Sequence, residues 1–212
     1  IAKNAGYSDY RDFKHISKGR FDYQPEHCFE FHEAVEQVVM PAYNDLLNQR
    51  KSKLGLEALR PWDTSVDPEG KEPLKPFTEV EDMVSKTKVI FDKIDSELAA
   101  GFQTMRDQKL LDLANRKGKA PGGYQSSLPE ARLPFIFMNA VGLQRDVETL
   151  LHEAGHAFHT LATQQEDIHE YQHAPLEFCE VASMSMEFVG NEHLEEFYSE
   201  EDCVRARRQH LE

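Results

Sequence analysis

Apolar residues recur at helical spacing through the first half of the chain. Between residues 24 and 54, Phe29, Val35, Val38, Val39, Ala42, Leu46 and Leu47 keep an approximate 3.6-residue period. Pro25 suits the first helical position, Glu26 the first turn, and Gly55 the stop. Pro41 interrupts this segment, lacking an N–H and clashing with the carbonyl four residues back, so a kink or a split is expected there. Residues 61–77 carry Pro61, Pro68, Pro73 and Pro76 and read as loop. Thr78 with Glu81 makes a capping-box signature ahead of Met83, Ile90, Phe91, Ile94 and Leu98, which predicts one further amphipathic helix. After Lys109 the texture changes. The apolar runs 110–113 and 133–138, separated by Gly118, Gly122 and Gly123, predict a small sheet. Pro134 restricts the second run to an edge strand or the beginning of a strand. Helical spacing returns from Asp146 to the end, apart from a polar interruption at 163–175.

The fold expected is mainly α, of the α+β class: a helical part at 1–108, a small sheet with loops at 109–145, and helices at 146–212. The last helix opens with Glu200, Glu201 and Asp202 and turns basic at Arg205, Arg207 and Arg208, in keeping with the helix dipole. A helix so well marked at the end of a chain that begins with Ile1 suggests a piece of a longer protein.

Composition narrows the partners. With 38 Asp and Glu against 24 Lys and Arg, the formal charge is −14, which repels phosphate backbones and anionic lipid. Neither nucleic acid nor a membrane is expected as a partner. No stretch approaches 18 consecutive apolar residues, and the N-terminus has no secretory pattern. Cys28, Cys179 and Cys203 are odd in number and lack paired spacing, which fits a reducing compartment and a cytoplasmic protein. The oligomeric state is not legible.

The chemistry concentrates in the segment VETLLHEAGHAFHT, residues 147–160. His152 and His156 stand four residues apart, so a helix puts both imidazoles on one face, within reach of a single metal ion. Glu153, beside the first of them, can reach a metal-bound water and take its proton. The template occurs twice, since His169-Glu170-Tyr171-Gln172-His173 also matches it. Context separates the copies. The first is surrounded by uncharged residues, as a buried helix requires. The second follows Glu166 and Asp167 and is closed by Pro175, which favours a loop, with His173 either simply solvated or placed near a substrate mouth.

A catalytic zinc needs a third protein ligand and one open position. His159 lies seven residues beyond His152, about 10 Å along a straight helix, too far to share a small ion. The helix predicted at 175–190 offers Glu177 and Glu180 on one face. One would be the ligand and the other would orient an imidazole; spacing leaves the choice open. Glu148, one turn before His152, is either another such partner or an ordinary first-turn acid.

The same helix pair, VETLLHEAGHAFHT followed by APLEFCEVASMSME, closely resembles the zinc oligopeptidases of the thimet oligopeptidase/oligoendopeptidase F family. NAGYSDYRDFKHISKGRFDY, LRPWD and PGGYQSSLPEARLPFIFMNAVG resemble the oligoendopeptidase F branch, so the likeness covers most of the chain. The resemblance implies one Zn2+ per chain held by His152, His156 and Glu180, with Glu153 as general base and Glu148 and Glu177 supporting the histidines. It implies a zincin-type catalytic region of the gluzincin kind within a larger clam-like helical fold, acting as a metalloendopeptidase on short peptides. The strand from Pro134 to Asn139 and the Gly122-Gly123-Tyr124 turn would lie along the peptide, making Gly123, Tyr124, Phe137 and Asn139 candidate substrate contacts beside His173. Family members also carry substrate-binding His and Tyr residues downstream, in a region expected beyond Glu212. Two rival readings remain. One is a non-catalytic metal-binding scaffold, which a fourth protein ligand such as His159 or Glu177 would favour. The other is a zinc aminopeptidase, which needs an acidic anchor for a free substrate N-terminus. Manganese or cobalt could replace zinc on such ligands.

Overall fold

Pro41 is accommodated by a widened turn rather than by a break. Helix α1 (Tyr10–Ser17) is capped by the Asp9 carboxylate, which accepts the Asp12 N–H. Helix α2 (Pro25–Ala34) then runs through a π turn at Val35–Val39 into α3 (Met40–Leu54). There the Met40 N–H reaches back to the Val35 carbonyl. Adding a residue to the turn moves the carbonyls away from the proline ring and re-pairs the backbone around its missing donor. Gly55 ends α3 at φ 66°, a left-handed conformation that glycine adopts without a Cβ penalty. Arg50 on α3 donates to the carbonyls of Asp63, Thr64 and Val66 and so ties down the loop that follows.

The computed structural model describes residues 1–211. They form two compact units that divide between Pro73 and Leu74, inside the proline-rich loop. In the second unit the sequence predicts one helix through Leu98, but the structure makes two, α4 (Val80–Ile94) and α5 (Ser96–Asp107). Asp95 causes the break: its carboxylate accepts the N–H groups of Glu97 and Leu98 and caps a new helix. Apolar spacing concealed this because both helices face one core. The Thr78 cap is not used either; α4 starts after Glu79 with no side-chain cap.

Strands β1 (Leu111–Ala114), β2 (Tyr124–Leu128) and β3 (Leu133–Ala140) form a sheet in the order β1-β3-β2. β3 is therefore central, parallel to β1 and antiparallel to β2; of the two options for Pro134, the edge strand at Pro134–Asn139 is corrected and the strand beginning holds. Pro134 is tolerated because it begins the strand. Ile136 donates its N–H to Leu110, so the proline nitrogen, of the same parity, points toward β1 two residues before that ladder starts. The edges of the sheet belong to β1 and β2.

The inner face of β3 (Ile136, Met138) joins Met83, Ile90 and Phe91 of α4, Phe102 and Met105 of α5, and Val147, Leu150 and Leu151 in one buried core. Phe91 meets both Phe102 and Phe158 edge to face. Each such side chain contributes about 1.5–3 kcal/mol on full burial. Between β1 and β2, the buried Lys119 ammonium donates to the carbonyls of Asp112 and Ala114 and lies 4.4 Å over the Phe137 ring. Arg116 grips the Asp112 carboxylate with both terminal nitrogens. Together with Lys119 this holds the Asp112 pKa down to about 2.

Candidate metal centre

Helix α6 (Gln144–Ala162) begins at a tightly closed turn. The Asp146 carboxylate accepts the N–H groups of Val141, Gly142 and Leu143 at 2.8–2.9 Å. The helix then runs across the sheet and packs antiparallel to α7 (Leu176–Asn191). Gly155 sets the distance between them. A Cβ at Gly155 would lie 2.6 Å from Ser183 Cα and 2.8 Å from the Ala182 carbonyl oxygen, both backbone atoms that cannot swing aside. Gly155→Ala should therefore push α7 away and destabilise the chain by about 1–3 kcal/mol. A lowered melting temperature together with weakened metal binding would report this; an unchanged melting temperature would contradict the packing.

This close approach brings Glu180 of α7 to the two histidines. Glu180 Oε2 lies 3.3 Å from His152 Nε2 and 3.7 Å from His156 Nε2. One donor atom from each residue lies within 4.8 Å of the other two, and this is the sole such group of three among the described residues. Neither His159 nor Glu177 joins it. The imidazoles stand edge to face, 4.9 Å between centroids. His152 Nδ1 lies 2.6 Å from Glu187 Oε1. An N–H donated there fixes the tautomer and leaves the Nε2 lone pair pointing at Glu180 and His156. The Ser183 hydroxyl, fully buried, lies 3.0 Å from Glu180 Oε2 and steadies that carboxylate. Burial lowers the His156 pKa, partly offset by Glu180, which favours the neutral imidazole a metal requires. Two imidazole nitrogens and one carboxylate, with no thiolate, suit zinc and leave a side for other ligands. The Glu180 side chain, 44% exposed, marks that open side.

Glu153 is 7% exposed and belongs to the flank of α6 that meets β2. Burial raises its pKa; His152 and a backbone hydrogen bond with Gln125 oppose this, while the charges of Glu180 and Glu187 add to it.

Glu187 was not anticipated from the sequence. It stands seven residues after Glu180, two turns along the same face of α7, and that spacing was the available signal. Glu148 instead accepts from Gln144 Nε2 at 3.0 Å, and Glu177 lies in the first turn of α7. The second motif copy forms a short 3-10 turn, His169–Gln172. His169 and His173 are exposed, their rings 4.9 Å apart, with no third donor among the described residues. Gly123 lies against α6 one turn before His152, where a Cβ would come 3.0 Å from the Thr149 methyl. Tyr124, half-exposed, stacks on Phe137. The Asn139 amide is committed to the carbonyls of Ala120 and Gly122, and so shapes the turn.

Known proteins resemble the chain in sequence and in fold. A family model described as peptidase family M3 matches residues 1–211. An oligoendopeptidase F homolog of Lactococcus lactis subsp. lactis is 25% identical over 177 residues, spanning 82% of this chain and 28% of that protein. A solved structure of PZ peptidase A with an inhibitor superposes with a TM-score of 0.92 at 32% identity, over 99% of this chain and 37% of the other. A Bacillus anthracis protein provisionally assigned as oligoendopeptidase F gives 0.92 at 31% identity, over 99% and 38%. The chain thus spans less than half the length of these relatives. Matched along its length in sequence, and in fold by a mostly helical structure with a small three-stranded sheet, the chain belongs to peptidase family M3.

Proposed function

We propose that this chain carries the catalytic centre of a zinc-dependent endopeptidase of the gluzincin kind that hydrolyses short peptides. The observation that carries the reading is the convergence of His152, His156 and Glu180 on one point, beside the buried carboxyl of Glu153. Three protein donors are the number found at catalytic zinc sites, where a fourth position stays open. This favours an enzyme over a scaffold. When bound, zinc supplies Lewis acidity, which polarises a peptide carbonyl and lowers the pKa of water toward about 7.

The protein's own groups do the rest. The Glu153 carboxylate accepts a proton from the attacking water and passes it to the leaving amine. Burial raises its proton affinity, which suits a group that must take and return a proton near neutral pH. Glu187 keeps His152 oriented, and Ser183 keeps Glu180 oriented. β2 is paired with β3 on one side only, so an extended peptide can add along its other edge. This moves the peptide-binding role from β3 to β2, with Gly123 and Tyr124 at its start. Phe137 acts behind Tyr124, Asn139 fixes the turn, and His173 lies on the loop joining the two metal-binding helices. The names of the oligoendopeptidase F relatives support short peptides as substrates. Among the described residues no helix is long and apolar enough to cross a membrane, and the three cysteines are free, in keeping with a cytoplasmic location.

Removal of the metal tests the reading. A zinc chelator should abolish cleavage of internally quenched short peptides, and one zinc per chain should restore it. Cleavage that survives complete removal of the metal would overturn the proposal.

A further inference from the structure

A line of polar side chains leads from the metal centre toward α8 (Glu200–Leu211). Glu187 holds His152 Nδ1 through Oε1, and its other oxygen, Oε2, lies 3.7 Å from His210 Nδ1. The same His210 nitrogen is 3.6 Å from Glu148 Oε1, which accepts from Gln144 Nε2. Gln144 Oε1 accepts in turn from the Tyr198 hydroxyl. Burial raises the Tyr198 pKa well above its ordinary value, so this hydroxyl stays a donor. The His210 ring lies edge to face against Phe188, 5.4 Å between centroids. Side-chain exposures of 21% for Glu148, 17% for Glu187 and 12% for His210 put the chain largely out of water.

Glu148 Oε1 and Glu187 Oε2 both lie within 3.7 Å of one ring nitrogen, so two largely buried carboxylates are held near each other and repel, and the low local dielectric magnifies the effect. An N–H on the ring nitrogen near both of them relieves it and gives Glu187 Oε2 a polar neighbour at 3.7 Å. Without that neighbour the Glu187 carboxylate is free to rotate, and its grip on His152 Nδ1 loosens. Because partners of ligating imidazoles tune metal affinity, a group that fixes such a partner acts on the metal at one remove. We propose that His210 is a positioning residue of the metal centre. It acts through Glu187 on His152 and makes α8 part of the site's support. The proposal rests on the zinc reading above.

The test measures zinc affinity of the 212-residue chain by competition with a chromophoric chelator. His210→Phe keeps a ring against Phe188 and removes the nitrogen; His210→Asn returns an amide nitrogen near the Nδ1 position. His210→Phe should weaken zinc binding about tenfold, the lower end of outer-partner effects. His210→Asn should recover most of that loss. Glu187→Ala should cost about 10–100-fold, and adding His210→Phe to it should cost nothing more, because the two act in one line. A general packing defect would give additive losses and no rescue. Zinc binding by His210→Phe within twofold of wild type, or additive losses in the double variant, would overturn the proposal. Should His210→Phe fail to fold, His210→Gln, whose donor sits nearer the Nε2 position, is expected to show the same weakening, and wild-type affinity there would equally overturn it. A wild-type chain that binds no zinc would instead remove the zinc reading itself, and this proposal with it.

Discussion

In the full-length enzyme, Glu153→Gln should bind zinc as the wild type does and hydrolyse short peptides roughly 10²–10⁴-fold more slowly, the usual contribution of a general acid–base group. The amide is nearly isosteric with the carboxyl and keeps the side chain in its buried place against β2. It cannot accept a proton, so the water stays unactivated and the leaving amine goes unprotonated. The metal ligands lie on the face of α6 turned to α7 and should be undisturbed. Parallel determination of kcat and metal content separates the two effects. Hydrolysis retained with zinc bound would remove Glu153 from the mechanism, and loss of zinc would mean that the variant had disturbed the site instead.

Glu180→Ala should weaken zinc far more than Glu177→Ala, and beyond the roughly 100-fold that loss of an outer partner costs. Glu180 presents Oε2 within 3.7 Å of both imidazole nitrogens and is held there by Ser183. Removing it leaves two imidazoles and no charged ligand for a dication. Glu177 lies outside the group of three donors. Zinc affinities measured in competition with a chelator would rank the two. The reverse order would exchange their roles.

The pair His152 and His156, with Glu153 between them, was legible because helical periodicity alone decides which residues share a face of α6. The third donor was less so. Glu177 and Glu180 share a face of α7, and which one meets the histidines depends on how far the helices slide along each other. That is set by Gly155 against Ser183, a contact that spacing does not encode. Glu187 escaped for a related reason: the reading stopped one turn from Glu180, while antiparallel packing carries the face of α7 along α6 for two turns.

The sheet repeats the lesson. Residues 133–138 read correctly as a strand, and of the two options Pro134 left open, an edge strand or a strand beginning, the second holds because β3 is central. Strand order depends on where β1 begins its register, and a proline one residue past the start of a strand is harmless if the neighbour begins later. Asp95 was missed, whereas Pro41 does interrupt regular α-helix as expected, through the π turn just before it. A cap hid inside a continuous apolar pattern, and a helix breaker was absorbed by one wide turn.

The most direct measurement is the zinc content of the purified 212-residue chain, of His152→Ala, and of a chain with both His169→Ala and His173→Ala. The account predicts one zinc in the wild type and in the double variant, and none in His152→Ala. Zinc retained by His152→Ala but lost from the double variant would place the metal at the exposed histidine pair and contradict the centre described on α6 and α7.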